Sequence, residues 1–212
     1  MMIYDFPDSS SPINQGDIFF GIPRLEISLN NIIVADEDGE RVVTWNDIAS
    51  SNEPVSIIAS VRPVIAIVAT QNCDASRSRD ITLCEISLFK DVELKCKETS
   101  SSKSWVNIIT QHARINQKWF YLPPNEELGF SEKMAVDFMV TLRVPRADLE
   151  DMRNLRKGRL NSIADEHFRE RISEFFRRYP YDEWYSLNQS EFDIYNREHP
   201  GTPPFPYQAT DV

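Results

Sequence analysis

Residue types that can do chemistry lie at both ends of one apolar run in the sequence. Arg62 precedes the run at residues 63–69, and the polar residues Gln71, Asn72, Cys73 and Asp74 follow it. The run is short and consists mostly of small or β-branched side chains, so it predicts a strand that is buried on both faces. A buried strand holds the groups at its ends in fixed positions, and we therefore expect functional residues there.

Cys73 is the candidate nucleophile, because a thiolate at a strand end is both held in place and exposed. His112 and His167 are the histidines that could serve as its base, and the sequence places neither beside it. The alternative interpretation is an inert, buried thiol. Cys73, Cys84 and Cys96 are eleven and twelve residues apart and lack the close pairs that zinc sites use, so we expect no metal and no cofactor.

The densest basic cluster in the sequence is a candidate phosphate-binding site, separate from Arg62. It comprises Arg153, Arg156, Lys157 and Arg159. The chain carries a net charge of −10, which argues against a broad basic surface for nucleic acid. Residues 141–180 nevertheless hold ten Lys or Arg against seven Asp or Glu. Any contact with phosphate should therefore be local, while the acidic remainder favours basic partners.

Composition divides the chain into three parts. Residues 1–13 are rich in Pro and Ser and predict a flexible amino-terminal arm, and residues 14–180 are predicted to form the folded domain. Residues 181–212 hold six Asp or Glu and one Arg, together with aromatic residues and prolines, and we interpret this acidic tail as a segment that binds a partner protein.

The chain lacks the features of a membrane or secreted protein. It has no apolar window near the ~20 residues of a membrane span, and its amino terminus lacks the basic and apolar regions of a signal peptide. An odd number of cysteines without paired spacing indicates a reducing compartment. We therefore expect a cytoplasmic protein with no membrane contact.

The first two thirds of the chain are predicted to be mainly strands. Asp38-Gly39 is a turn signal between two apolar stretches and predicts a hairpin, and residues 134–144 alternate between apolar and polar residues as a half-buried strand does. The segment at 81–88 is expected to pair with the run at 63–69. The other predicted extended segments are 18–23, which we expect to end at its proline, 32–34, 42–44, 105–109 and 118–122.

The last third of the predicted domain changes to helical periodicity. Residues 147–155 predict a short helix. A longer helix is expected to begin at Ser162, with Asp165 completing a capping box, and to end at Pro180. Its apolar residues recur at helical spacing from Ile163 to Tyr179, so we expect that face to pack against the strands.

Four motifs in order resemble those of the MazF/PemK family, SH3-like barrels that include toxin endoribonucleases. They are Gly16-Asp17-Ile18 before a strand, Arg62-Pro63 leading an apolar strand, a strand at 83–87 that ends in Ser87, and Arg159-Leu160 before the carboxyl-terminal helix. The chain is also similar to a group of bacterial proteins whose function is unassigned. The resemblance implies a mainly β fold with α: an SH3-like antiparallel β-barrel with an inserted hairpin and a carboxyl-terminal amphipathic helix.

The resemblance also implies catalytic roles for Arg62 and Ser87 in the cleavage of single-stranded RNA without a metal. A guanidinium can neutralise a phosphorane-like transition state, while a hydroxyl positions or relays a proton. It further implies a toxin–antitoxin or defence context and a homodimer. However, roughly forty residues separate Gly-Asp-Ile from Arg-Pro, far more than the family has. Two hypotheses follow: a non-catalytic interaction module that kept the barrel, and an endoribonuclease or RNA-binding protein of MazF type.

Overall fold

A computed structural model of the chain describes residues 3–36, 39–51, 53–89, 118–177, 188–198 and 200–201. The chain divides into two compact units, Met1–Phe175 and Phe176–Val212. The strands are β1 (Tyr4–Asp5), β2 (Asp17–Glu26), β3 (Ile32–Asp36), β4 (Gly39–Val43), β5 (Ile57–Ile58), β6 (Ser60–Val68), β7 (Asp80–Leu88), β8 (Trp119–Leu122), β9 (Met134–Pro145) and β10 (Arg156–Leu160). The helices are α1 (Trp45–Ser51), α2 (Asn72–Ala75), α3 (Arg146–Asp151), α4 (Ser162–Arg177) and α5 (Gln189–Glu198), with a 3-10 turn at Arg153–Leu155.

The fold is mixed β and α, built around a strongly curled antiparallel half-barrel. Within the described residues this sheet has seven strands in the order β1-β10-β2-β6-β7-β9-β8. Its two edges approach each other, because the hydroxyl of Tyr4 on β1 donates to the carbonyl of Pro123, just after β8, at 2.8 Å. A second, three-stranded sheet has the order β4-β3-β5.

The apolar run forms the carboxyl-terminal half of β6, and the prediction of a strand buried on both faces is confirmed for this half. Ala66, Ile67 and Val68 are fully buried. Ile67 belongs to one apolar cluster, while its neighbours belong to a second cluster on the opposite face. Adjacent residues of a strand point to opposite faces, so both faces of the sheet are covered.

Helix α4 covers the first of these clusters. The ring of Phe168 lies 5.3 Å from that of Phe120 and 5.7 Å from that of Phe138, and Phe168 is fully buried. Burying one such side chain contributes about 1.5–3 kcal/mol. The predicted packing of the helix against the strands is confirmed for Phe168 and Phe175, whereas Ile163 and Phe176, which were expected on the same face, are exposed.

The pairing of the strands agrees with several predictions from the sequence. The segment at 81–88 pairs with β6, since Ile65 faces Ile86 and Val68 faces Leu83. The hairpin is also present, because β3 pairs antiparallel with β4. Strands β8 and β9 occupy the segments predicted at 118–122 and 134–144, whereas the segment predicted at 105–109 lies outside the described residues.

Two predicted boundaries are wrong. Strand β2 runs through Pro23 to Glu26, because Pro23 lies opposite Pro63 on β6 and β10 pairs with β2 only at residues 17–19. A proline is tolerated where its nitrogen faces no further strand.

The second wrong boundary is the start of α4. The predicted cap was Ser162, whereas the side-chain oxygen of Asn161 accepts the backbone N–H of Ala164 at 2.9 Å. Asn161 therefore occupies the capping position, and Ser162 is the first residue of the helix. The predicted end at Pro180 lies outside the described residues.

The segment predicted as a flexible arm contributes a strand to the half-barrel. Tyr4 on β1 faces Leu160 on β10, and its side chain is buried. Farther along, the guanidinium of Arg156 donates to the carbonyls of Asp8, Ser11 and Pro12. No helix in the described part of the chain is both long and apolar enough to cross a membrane.

Candidate functional site

Four strands of the half-barrel frame an open cleft of about 630 Å³. Its polar side chains come from β2, β6, β7 and β9: Arg24, Arg62, Glu85, Ser87 and Asp137. The apolar part of the lining includes Pro63, Val64, Met134 and Val140. The two residues that the family resemblance singled out, Arg62 and Ser87, therefore line the same cleft.

Strand register explains why these polar side chains converge. Arg24 on β2 lies directly opposite Arg62 on β6, and Glu85 on β7 lies directly opposite Asp137 on β9. Ser87 follows Glu85 by two residues, and residues two apart in a strand share a face. The side chains thus arrive from four strands that are distant in sequence but adjacent in the sheet.

A register shift in β9 places Asp137 at the cleft. Cys84 faces Thr141 whereas Glu85 faces Asp137, so three extra residues of β9 bulge between these two pairs. A carboxylate oxygen of Asp137 accepts the backbone N–H of Met139 at 2.8 Å, which secures the bulge. Bulges of this kind are common where a strand must redirect a side chain.

The guanidinium of Arg62 is shared between two carboxylates. Its Nε donates to Oε1 of Glu26 at 2.9 Å, and its Nη2 lies 3.4 Å from Oε1 of Glu85. The pKa of Arg62 is raised above its ordinary value, chiefly because of the hydrogen bond to Glu26 and further because of the charge of Glu85. Arg62 is therefore permanently protonated, and it does not act as a general acid.

Glu85 is the centre of the ion-pair network. Its side chain is only 6% exposed, and it forms ion pairs with both Arg24 and Arg62. Two arginines directly opposite each other on neighbouring strands repel, and a buried carboxylate without partners is unstable. The network resolves both problems, because Glu85 neutralises the arginine pair and the arginines compensate for the burial of Glu85.

The charges at the cleft do not favour an anion. Arg24 and Arg62 supply two positive charges, while Glu26, Glu85 and Asp137 supply three negative ones. A phosphate that approached Arg62 would have to compete with Glu26 and Glu85 for the guanidinium and would be repelled by their charges. The arrangement can instead bind a neutral or cationic group, or hold the four strands in register.

Ser87 has no activating partner among the described residues. No imidazole or carboxylate of these residues forms a hydrogen bond with its hydroxyl. The residue directly opposite Ser87 on β9 is Ala135, which has no side-chain hydrogen-bonding group. A serine hydroxyl needs an adjacent base to act as a nucleophile. The structure thus brings Ser87 and Arg62 to one cleft without assembling an acid–base pair.

Cys73 lies away from this cleft, in α2 after the end of β6, and its side chain is exposed. Its Sγ lies 3.9 Å from the side-chain oxygen of Gln71, which is not a base. His167 is an exposed residue of α4, while His112 and Cys96 lie outside the described residues.

Cys84 differs from Cys73 in its surroundings. It lies in β7 with 1% of its surface exposed, and burial raises the pKa of its thiol to about 12. A thiol with so high a pKa is protonated at neutral pH and therefore unreactive.

The predicted phosphate cluster is divided between the interior and the surface. Arg156 is buried, and its Nη1 donates to the carboxylate of Asp17 at 3.0 Å. Arg159 also binds Asp17. Arg153 is paired with Glu150 at 3.9 Å, while Lys157 is exposed. Two of the four cations thus serve an internal carboxylate.

Asp17 gives the Gly-Asp-Ile motif a structural role in this chain. Its fully buried carboxylate binds the two arginines of β10 and also accepts the backbone N–H of Asn14 at 2.9 Å. Gly16 adopts a φ of +81°, and a Cβ there would lie 3.2 Å from the Cβ of Leu160. Glycine is therefore required for the close approach of β2 to β10.

Sequence reasoning missed Arg24, Glu85 and Asp137. The available signal was Glu85, the charged residue in the mainly apolar segment at 81–88. A charge at such a position is stable when buried only if it has a partner. That partner could not be named from the sequence, because Arg24 is 61 residues away along the chain.

No protein-family model and no curated protein matches the sequence.

Proposed function

We infer that this protein is a non-catalytic interaction module that binds a partner protein, and that its half-barrel is a divergent, elaborated SH3-like barrel of MazF/PemK type. The observation that carries this proposal is the ion pairing of Arg62. Its Nε donates to Glu26 and its Nη2 to Glu85, so two carboxylates already neutralise the guanidinium that a phosphate would have to bind. An enzyme of the toxin type requires that guanidinium to be free for the transition state.

The order of motifs along the sheet supports the barrel part of the proposal. The Gly-Asp-Ile motif begins β2, the Arg-Pro dipeptide lies in β6 beside it, and β7 with Ser87 follows next in the sheet. The strand that precedes α4 also carries Arg159-Leu160, as the resemblance implies. A context in a bacterial toxin or defence system is part of the same proposal.

The acidic tail supports binding of a partner protein. Its described helix, α5, buries none of its residues, and Ile194 is an exposed apolar side chain on it. Glu191, Asp193 and Glu198 give this helix three negative charges against the one positive charge of Arg197. A helix with an exposed apolar residue and a negative charge suits a basic partner.

The endoribonuclease remains the second candidate because Arg62 and Ser87 line one open cleft. In this alternative, binding of RNA would exchange the carboxylates on Arg62 for a phosphate. Single-stranded RNA would then be the substrate and no metal would be needed.

Incubation of the purified full-length protein with single-stranded RNA tests the choice between the two candidates. The variants are Arg62→Ala, Ser87→Ala and, as a matched control, Arg143→Ala, which removes an exposed arginine paired with Asp80 outside the cleft. We expect no cleavage by any of the four proteins. Cleavage by the wild type and the control, together with its loss in the other two variants, would establish the endoribonuclease.

Deletion of residues 181–212 tests the tail. We expect the shortened chain to lose a partner that the full-length chain retains in pull-down from the native cell. Equal recovery of that partner would exclude the tail as the binding segment.

A further inference from the structure

A two-stranded ribbon projects from the half-barrel. Residues 22–26 of β2 pair with residues 60–64 of β6. These two stretches have no other strand partner among the described residues, because β10 pairs with β2 only at residues 17–19 and the pairing of β6 with β7 begins at Ile65. The ribbon leads into the three-stranded sheet and α1. We call residues 25–61 the head.

The head concentrates the exposed apolar surface of the described chain. Nine of its fourteen exposed large apolar side chains fall between residues 25 and 61. Leu25 and Val61 lie directly opposite each other on the ribbon, with 60% and 57% of their surfaces exposed. Ile27 and Leu29, also exposed, continue from Leu25 at a spacing of two residues.

The three-stranded sheet extends this surface. Val42 on β4, Ile33 on β3 and Ile58 on β5 form one row across the sheet, and the two outer members of the row are exposed. The opposite face of the same sheet packs on a small cluster of Ile32, Val34 and Ile48. The head therefore buries one apolar face and leaves a second one in solvent, which marks an interaction site.

Charge defines what can cover this surface. Residues 25–61 hold seven Asp or Glu and one Arg in sequence, and the side chains that the structure describes among them are those of Glu26, Glu40, Asp47, Glu53 and Arg41, a net charge of −3. A nucleic acid or an anionic membrane is repelled by such a surface, and a second copy of the head carries the same charge. A protein segment with Lys or Arg beside apolar side chains satisfies both the charge and the apolar surface.

We propose that the head is the docking surface for a basic, apolar segment of a partner protein. This inference rests on the proposed function: it adds a second binding surface to the acidic tail and names the chemistry of the segment that this surface binds. The order β4-β3-β5 leaves one edge of β4 unpaired within the described residues, so an extended segment can add to the sheet there. Its apolar side chains would cover the exposed row while its cations meet the surrounding carboxylates.

Fluorescence anisotropy with two labelled peptides tests the docking surface. One probe is an extended peptide of alternating Lys and Val, and the other alternates Glu and Val. We expect the full-length protein to bind the Lys–Val peptide with an affinity that falls as salt rises, and to bind the Glu–Val peptide much more weakly. Equal binding of the two peptides, or binding of neither, would overturn the proposal.

A pair of variants locates the binding. The double variant Leu25→Ser and Val61→Ser should bind the Lys–Val peptide about tenfold more weakly than the wild type. The control is Ile163→Ser, which alters a side chain on α4 that is 51% exposed, and it should bind as the wild type does. All three substituted side chains are exposed, so folding should be preserved. An unchanged affinity in the double variant would place the binding elsewhere and overturn the proposal.

Sedimentation equilibrium of the wild type tests whether a second copy of the chain, and not a partner protein, covers the head. A dimer that the same double variant dissociates would show that a second copy covers the head, and it would also overturn the proposal. These outcomes are separate from the cleavage assay. Failure of the peptide to bind the head overturns the docking surface but not the proposed non-catalytic function. Cleavage that depends on Arg62 overturns the proposed function even if the peptide binds.

Discussion

Replacing Asp17 with asparagine tests how the half-barrel holds its amino-terminal segment. The carboxylate of Asp17 is fully buried and binds Arg156, whose side chain is 2% exposed, and Arg159, whose side chain is 19% exposed. Asp17→Asn removes the negative charge but preserves the shape of the side chain. It also places an amide N–H₂ group against one of the two guanidiniums. Both groups are donors only, so they cannot form a hydrogen bond with each other.

Removal of one partner from a buried ion pair costs about 3–5 kcal/mol, since it leaves an uncompensated charge. Arg156 keeps its bonds to three backbone carbonyls, and asparagine keeps one acceptor oxygen, so we expect the lower end of that range, about 3 kcal/mol. With a slope near 2 kcal/mol per molar urea, the midpoint of unfolding should fall by about 1.5 M.

Urea titration followed by circular dichroism measures this change, and limited proteolysis reports whether the amino-terminal segment is released. Asp5→Asn serves as the control, because Asp5 is an exposed residue of β1 and its substitution should change stability by no more than about 0.5 kcal/mol. A midpoint for Asp17→Asn within the error of the control would show that the ion pairs on Asp17 contribute nothing, and the structural role assigned to the Gly-Asp-Ile motif would be refuted.

Two further substitutions test the packing beside this segment. Gly158→Ala should destabilise the protein by about 1–3 kcal/mol in the same urea titration, because a Cβ at residue 158 would lie 2.6 Å from a methyl group of Leu128. Unchanged stability would show that the Leu128 side chain moves aside without cost. Asp165→Asn should stabilise the protein at pH 7, because burial raises the pKa of Asp165 despite its ion pair with Arg169. The folded state then holds the proton of Asp165 more tightly than the unfolded state, so the stabilisation should decrease as the pH falls through the raised pKa and be absent below about 4, the unfolded value. A constant difference across pH would contradict this assignment.

The elements that sequence reasoning predicted are those whose side chains carry a strong local pattern. The continuous apolar run predicts that both faces of this part of β6 are buried, and the turn signal at Asp38-Gly39 predicts the hairpin of β3 and β4. The alternation at 134–144 likewise corresponds to β9. In each case the signal lies within about a dozen neighbouring residues, so no knowledge of distant contacts is needed.

The elements that it missed depend on contacts between distant residues. The prolines and serines of the first dozen residues predicted a flexible arm, yet Tyr4 is buried and the carbonyl of Asp8 is bound by Arg156, 148 residues away in sequence. The start of α4 differed by one residue because Asn161 and Ser162 are both good capping residues, and only the geometry selects between them.

The candidate site was predicted in part. Arg62 and Ser87 entered through the family resemblance, and the structure places both at one cleft. The charges that decide the chemistry of the cleft, Glu85 and Asp137, were not predicted, because Asp137 reaches the cleft only through the bulge in β9. A register shift of this kind has no signature in a single sequence, since the bulged residues keep an ordinary strand composition.

The most direct test of the central claim is the NMR signal of the Nε–H group of Arg62, assigned by its disappearance in Arg62→Lys, during titration of the full-length protein with a single-stranded oligoribonucleotide. Because this N–H group donates to Glu26, we predict that its chemical shift stays constant throughout the titration. A saturable shift of this signal, with the signal of Arg143 unchanged, would show that RNA phosphate displaces the carboxylate and would contradict the account.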